Sequence, residues 1–294
     1  MKKLIATLTL AAAAAACSTQ TTITPGAQPS GTPSPSPSSV PTSSTGTTQV
    51  TIYYLVEGTD DMFLTPERHQ VAKTEAIARA ALEELLNGNA QDEDHTVPFP
   101  KDAKVNSVVI KDKVATVDWS AEVLEGSAGA RVEELAIQSI VFTLTEFPTI
   151  SKVRFTVEGK ASGTASNGRQ IEDFWGHVGL SDQPWVREPV LDVLAPITLW
   201  TPLEGAPSSG TLKLSGLAQT FEANVGIILR DAKGKIVVHT SATALEAAPA
   251  REPFTKKIKF TPPSSPERWT LQVIEDSAMD GSVVFMEDRT IQVG

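Results

Sequence analysis

Residues 132–159, VEELAIQSIVFTLTEFPTISKVRFTVEG, decide the fold. Ile137, Ile140, Val141 and Leu144 recur at i, i+3, i+4 and i+7, the spacing of one helix face. Val132, Leu135 and Phe142 widen the apolar arc until little of the helix is left for solvent, so the spacing predicts a core helix. Pro148 ends it, because a proline disfavours helical geometry at the residue before it, here Phe147. Val153, Phe155 and Val157 then alternate with Lys152, Arg154, Thr156 and Glu158, the period of a half-buried strand. A helix that feeds a strand this directly predicts helices packed on one face of a sheet.

Upstream, Val50 to Val56 is apolar in both phases, which predicts a central strand. The stretch Leu64-Thr65-Pro66-Glu67-Arg68 reads either as a helix opened by Thr65 or as a short strand running to Val71. Ile77, Ala78, Ala81, Leu82, Leu85 and Leu86 line one helix face, and Asn87-Gly88 supplies its stop. Lys104 to Ile110 and Val114 to Trp119, joined by Lys111-Asp112-Lys113, predict a hairpin. The first module, 49–188, is thus an α+β domain of order close to β-α-β-β-α-β. Downstream, amphipathic helices stop. Seven strands are predicted in 195–294: 197–200, 211–217, 224–230, 235–240, 254–260, 269–275 and 283–293. Proline and glycine turns separate them, including Asp231-Ala232-Lys233-Gly234, a pattern that predicts a β-sandwich.

The chain has 294 residues and a formal charge of -10. That charge argues against a nucleic-acid partner, and the one basic cluster, Lys256, Lys257 and Lys259, reads as the solvated face of a strand. A single cysteine, Cys17, excludes an internal disulfide and a cysteine-based zinc site. Residues 1–17 have the parts of an export signal: Lys2 and Lys3, an apolar run from Leu4 to Leu10, and a string of alanines. Ala14-Ala15-Ala16-Cys17 resembles a bacterial lipobox, which implies lipidation at Cys17 and a membrane anchor facing outside the cytoplasm. Residues 18–48 hold six prolines, seventeen serines or threonines and no charge, a composition that cannot bury a core. As a flexible coil such a tether spans about 30 Å, and as extended polyproline about 95 Å.

Several stretches together resemble the GerMN domain, the sporulation and spore germination module of bacterial envelope proteins. They are Val50 to Leu55, Leu64 to Arg68, Ala81-Leu82-Glu83-Glu84-Leu85-Leu86-Asn87-Gly88, Val117-Asp118-Trp119-Ser120 and Thr143-Leu144-Thr145-Glu146-Phe147-Pro148. Gly176-His177-Val178 and Pro184-Trp185-Val186-Arg187 look like that family's closing segment. The resemblance tilts residues 64–71 toward a strand. Residues 195–294, with Pro202, Gly205, Gly216, Phe221-Glu222-Ala223, Asp231, Gly234 and Glu275-Asp276-Ser277, resemble the immunoglobulin-like domain of bacterial spore germination proteins.

Chemistry is sparse. No nucleophile elbow, phosphate loop, metalloprotease helix or calcium loop is readable, and no cofactor is implied. His69, His95, His177 and His239 stand apart without a second ligand at helical spacing, so no metal site is expected. The acidic runs Gln91-Asp92-Glu93-Asp94-His95 and Glu275-Asp276 with Asp280 offer the oxygen ligands that would hold a cation such as calcium loosely, but a polar turn has the same composition, and the solvated reading is preferred. Trp175 and Trp185, in a polar stretch between the modules, are candidate contacts for a partner or a glycan, or else pack at the domain junction. The expectation is a non-catalytic envelope lipoprotein that binds or assembles protein or peptidoglycan partners. Its alternatives are a peptidoglycan-active enzyme or activator using carboxylates in an interdomain cleft, and a glycan-binding module. Oligomeric state is not readable.

Overall fold

The computed structural model describes residues 46–294, so Cys17, the leader and the tether up to residue 45 lie outside the described residues. Strand β1 (Thr47–Glu57) pairs antiparallel along its whole length with β2 (Met62–Ala72). Residues 64–71 are therefore strand, which makes the order β-β-α-β-β-α-β rather than β-α-β-β-α-β. Pro66 is compatible because β2 has a ladder on one side only, where a missing N–H costs least. Helix α1 (Ile77–Leu86) follows, then the hairpin β3 (Val105–Lys111) and β4 (Val114–Trp119), helix α2 (Ala130–Thr145) and β5 (Lys152–Val157), which lies parallel to β4.

The expected single sheet is in fact two: β1-β2 and β3-β4-β5. Strand β1 is apolar on both faces without being central. Val50, Ile52 and Tyr54 enter the main core with α1 and most of α2, while Tyr53 and Leu55 pack on Leu135 and Phe142 of α2 and on Val193-Leu194. Burial on both faces came from helix and linker packing, not from strands on either side.

After the four-residue helix α3 (Val190–Val193), the second module contains β6 (Ile197–Thr201), β7 (Ala206–Ser208), β8 (Thr211–Ala218), β9 (Asn224–Arg230), β10 (Ile236–Thr243), β11 (Glu252–Lys259), β12 (Glu267–Asp276) and β13 (Val283–Val293). Two sheets, β10-β9-β12-β13-β7 and β11-β8-β6, enclose a core that includes Ile227, Leu229, Phe254, Leu271 and Ile291. All seven expected strands are present, and the three-residue β7 is the addition. Lys257 and Lys259 are exposed on β11, as their alternation predicts. The modules share apolar contact: Val56 and Phe63, at the tip of the β1-β2 ribbon, belong to the second core, where Phe63 meets Phe285 edge-on at 5.9 Å. Among the described residues no helix is long and apolar enough to cross a membrane.

Candidate functional site

Alternation along β2 places Glu67 and His69 in the buried phase and Arg68 and Gln70 in the exposed one. The Glu67 carboxylate meets His69 Nε2 at 2.7 Å and His95 Nδ1 at 2.5 Å, and accepts the backbone N–H groups of Gln91 at 2.7 Å and Asp92 at 3.2 Å. His69 Nδ1 reaches Glu84 of α1 at 2.9 Å. The 91–95 turn is held there because Leu55 and Thr96 exchange two backbone hydrogen bonds of 2.9 Å, which seats the turn on the free edge of β1. From the other module, β13 presents Glu287 and Arg289 in the same buried phase as Phe285, Ile291 and Val293. Arg289 Nη2 lies 2.6 Å from Glu287, Arg289 Nη1 contacts Asp92, and Glu287 Oε1 lies 3.4 Å from His95 Nε2. A continuous chain of charge therefore runs from half-buried Glu84 through buried His69, Glu67, His95, Glu287 and Arg289 to Asp92, crossing from one module to the other.

Its charges are set by its neighbours. Burial alone would raise the Glu67 carboxyl, but hydrogen bonds from His69, His95 and the Gln91 backbone outweigh it and bring it to about 2. Burial alone would lower the His95 imidazole, but the Glu287 and Glu67 carboxylates raise it to about 9. His69 is likewise raised, against its burial, by Glu67 and Glu84. At neutral pH His95 is thus an imidazolium between two carboxylates.

Asp92, His95 and Glu287 bring three donor atoms within 4.8 Å of one another, a spacing that fits a metal ion. The Arg289 guanidinium, however, already contacts both carboxylates and His95 carries a proton, so the resident cation of this cluster is an arginine. The expectation of a solvated acidic turn at 91–95 is corrected here: Asp92 and His95 are buried, and only its other residues face solvent. The second acidic run behaves differently. Glu275 accepts the Phe221 backbone N–H at 3.1 Å from a segment distant in sequence, while exposed Asp280 binds Ser282 within its own turn.

At the seam Asp94 and Asp288, one from each module, line one pocket. Burial, hydrogen bonding with Asp94 and the like charge of Asp94 raise the Asp288 carboxyl to about 6. A raised carboxyl stabilises the fold fully below its unfolded value of 3.8, and that contribution is lost as pH rises through about 6. Asp288→Asn is therefore expected to raise the urea midpoint above pH about 6 and to leave it nearly unchanged at pH about 3. An equal shift at both pH values would contradict the raised titration of Asp288.

Beside this network a cleft of about 450 Å³ opens between the modules. One wall is the outward face of the β1-β2 ribbon with Gln49, Arg68 and Gln70, and the other is β6 with Trp200. The Arg68 guanidinium lies 4.2 Å from the Trp200 ring centroid.

The tryptophans singled out from sequence are elsewhere. Trp175 is 7% exposed in the first core, where its Nε1–H donates to the Val123 carbonyl at 2.6 Å. Gly126 makes room for it, since a Cβ there would lie 2.5 Å from the indole nitrogen. Trp185 is half-buried, edge-on to Phe155 at 4.7 Å, and exchanges two backbone hydrogen bonds with Val153. Both rings pack on the first module's own core, neither at an open glycan surface nor at the domain junction. The seam residues had a readable signal: Glu67, His69, Glu287 and Arg289 are charged or polar groups in the apolar phase of strands.

An α+β module fused to an immunoglobulin-like sandwich is the class that this fold defines. Residues 51–163 match the family described as sporulation and spore germination, and residues 197–282 match the immunoglobulin-like domain of bacterial spore germination. The chain thus carries a GerMN domain followed by that immunoglobulin-like domain. The matched residues stop before the 176–187 segment. The spore germination protein GerM of Bacillus subtilis (strain 168) is 30% identical over 134 residues, covering 44% of this chain and 36% of GerM, so the chain spans about a third of that relative's length. Among solved structures, the tandem GerMN domains of the sporulation protein GerM from Bacillus subtilis share 25% identity, with a TM-score of 0.38 over 51% of this chain and 48% of that one. A putative lipoprotein from Clostridium perfringens shares 20% identity, with a TM-score of 0.34 over 53% of this chain and 99% of that one.

Proposed function

We propose that this chain is a non-catalytic envelope lipoprotein whose two modules work as one rigid unit, tethered through Cys17, that binds or assembles protein or cell-wall partners. The observation that carries the reading is the buried ionic seam. A flexible pair of domains does not need a closed chain of buried charges between them, whereas a platform that presents a surface spanning both modules does. The same seam argues against the enzyme alternative. Its carboxylates and imidazoles are the groups an acid-base catalyst would use, yet they are buried and spent on one another and on Arg289. The names of the similar proteins point to sporulation or germination, but the proposal needs only a tether and a binding unit. Two acyl chains hold a protein at a bilayer far more firmly than one, so lipidation at Cys17 would make the anchor stable.

The test expresses the full chain and a Cys17→Ser variant in a lipoprotein-processing bacterium, followed by fractionation and mass spectrometry. The native chain is expected in the membrane fraction with lipid on residue 17, and the variant is expected free of lipid. Release of both without modification would remove the tether. Cross-linking from the folded modules should then recover an envelope protein or wall fragments; release of wall fragments by the purified chain would instead favour an enzyme.

A further inference from the structure

The interdomain cleft has a definite chemistry. Strand β6 pairs with β8 through a register shift between Leu199 and Thr201, which takes Trp200 out of the regular alternation and leaves its indole at the cleft. Arg68 stacks on that ring, and among the described residues its guanidinium has no carboxylate partner, so stacking fixes its plane while its N–H edges stay unused. Gln49 and Gln70 are cross-strand partners, both exposed, and among the described residues their side-chain amides bond no protein group. Leu199 and Leu203 give the lining its apolar part. Glu67, Asp92, Glu204 and Arg289 also line it, so three carboxylates stand against the two guanidiniums of Arg68 and Arg289 and no excess of positive charge favours phosphate or a polyanion.

We propose that this cleft binds a neutral oligosaccharide bearing acetamido groups, a ligand class that rests on the binding reading above and narrows it. A glutamine amide both donates and accepts, as do a sugar hydroxyl and an acetamido group. An indole and two leucines match the apolar C–H faces of pyranose rings, and the Arg68 edges supply donors to ring and acetamido oxygens. The cleft's volume of about 450 Å³ lies within the range of small-molecule sites, about 300–1,000 Å³. The contact uses Trp200, a tryptophan that no pattern in the chain singled out.

The full chain is titrated with the tetramer of β-1,4-linked N-acetylglucosamine, with maltotetraose and a wall stem peptide as comparators, by calorimetry and intrinsic fluorescence. Saturable binding of the tetramer is expected, at least about tenfold tighter than either comparator, the size of one lost hydrogen-bonded pair. Trp200→Ala is expected to abolish it. Because that variant also removes the Arg68 stack, Gln49→Ala/Gln70→Ala provides a second reading at exposed positions and is expected to weaken binding by about tenfold with an unchanged unfolding midpoint. No binding of the tetramer, equal binding of maltotetraose, tighter binding of the stem peptide, or tetramer binding indifferent to the Gln49/Gln70 change would each overturn the assignment. If the tetramer fails while Cys17-dependent anchoring and cross-linking to an envelope partner persist, the ligand class falls and the tethered binding unit stands.

Discussion

Glu67→Ala is expected to lower the stability of the folded unit by about 3–5 kcal/mol, the usual cost of breaking a buried, hydrogen-bonded ion pair from one side. The carboxylate is buried and meets two imidazoles and two backbone N–H groups. Its removal leaves His69 without a counter-charge on one side, takes the anchor from the 91–95 turn, and opens a void between β2 and that turn. For a folded unit of this size 1 kcal/mol moves the thermal midpoint by about 2–4 °C, so a fall of about 10 °C is expected. The pH dependence identifies the cause. Glu67 is lowered from 4.5 to about 2, so its contribution is present above pH 4.5 and lost as pH falls through about 2. His95 is raised from 6.5 to about 9, so its contribution is complete below pH 6.5 and lost as pH rises through about 9. The wild type should therefore lose stability along both limbs. Glu67→Ala should flatten the acid limb and shorten the alkaline one, because His95 keeps Glu287 but loses Glu67. Urea midpoints across this range test it, and an unchanged midpoint near neutrality would refute the role given to Glu67.

Periodicity made most of this fold legible. The i, i+3, i+4 pattern placed α1 and α2, period-two alternation placed β5, and short runs between turn residues placed β3, β4 and seven strands of the second module. It failed where two different causes produce one pattern. Val50 to Val56 is apolar on both faces, as in a central strand, but here helices and a linker cover what strands would have covered. Residues 64–71 stayed ambiguous because Pro66 suits a first helical turn as well as an edge strand. The seam was half-readable. Glu287 and Arg289 stand in the apolar phase between Phe285 and Ile291, which marks them as buried charges. Their partners Asp92 and His95 sit in a turn of ordinary acidic composition, and only the Leu55-Thr96 bridge, a contact distant in sequence, brings that turn under β1. Trp175 and Trp185 misled for the converse reason: a polar, glycine-rich segment still sends single aromatic rings into a core when a gap such as that above Gly126 receives them.

Arg289→Met should cost a similar amount, about 3–5 kcal/mol, although methionine nearly preserves the volume. The guanidinium is buried and neutralises Asp92 of the first module and Glu287 of its own. Without it two buried carboxylates face each other beside one imidazolium, and the least costly relief is for the modules to part and admit water. The expected signature is a loss of cooperativity: a single unfolding transition in the wild type should split into two in the variant, one for each core. Neutralising the stranded partners should reverse much of this. The triple variant Asp92→Asn/Glu287→Gln/Arg289→Met no longer buries an unpaired charge between the modules, and replacing a whole buried ion cluster often costs little or nothing. Calorimetry of the single and triple variants separates two accounts of the seam. Recovery of one transition in the triple variant assigns the coupling to charge balance. Two transitions persisting would mean that the guanidinium's hydrogen bonds, rather than its charge, hold the modules together, and the electrostatic account of the rigid unit would fall.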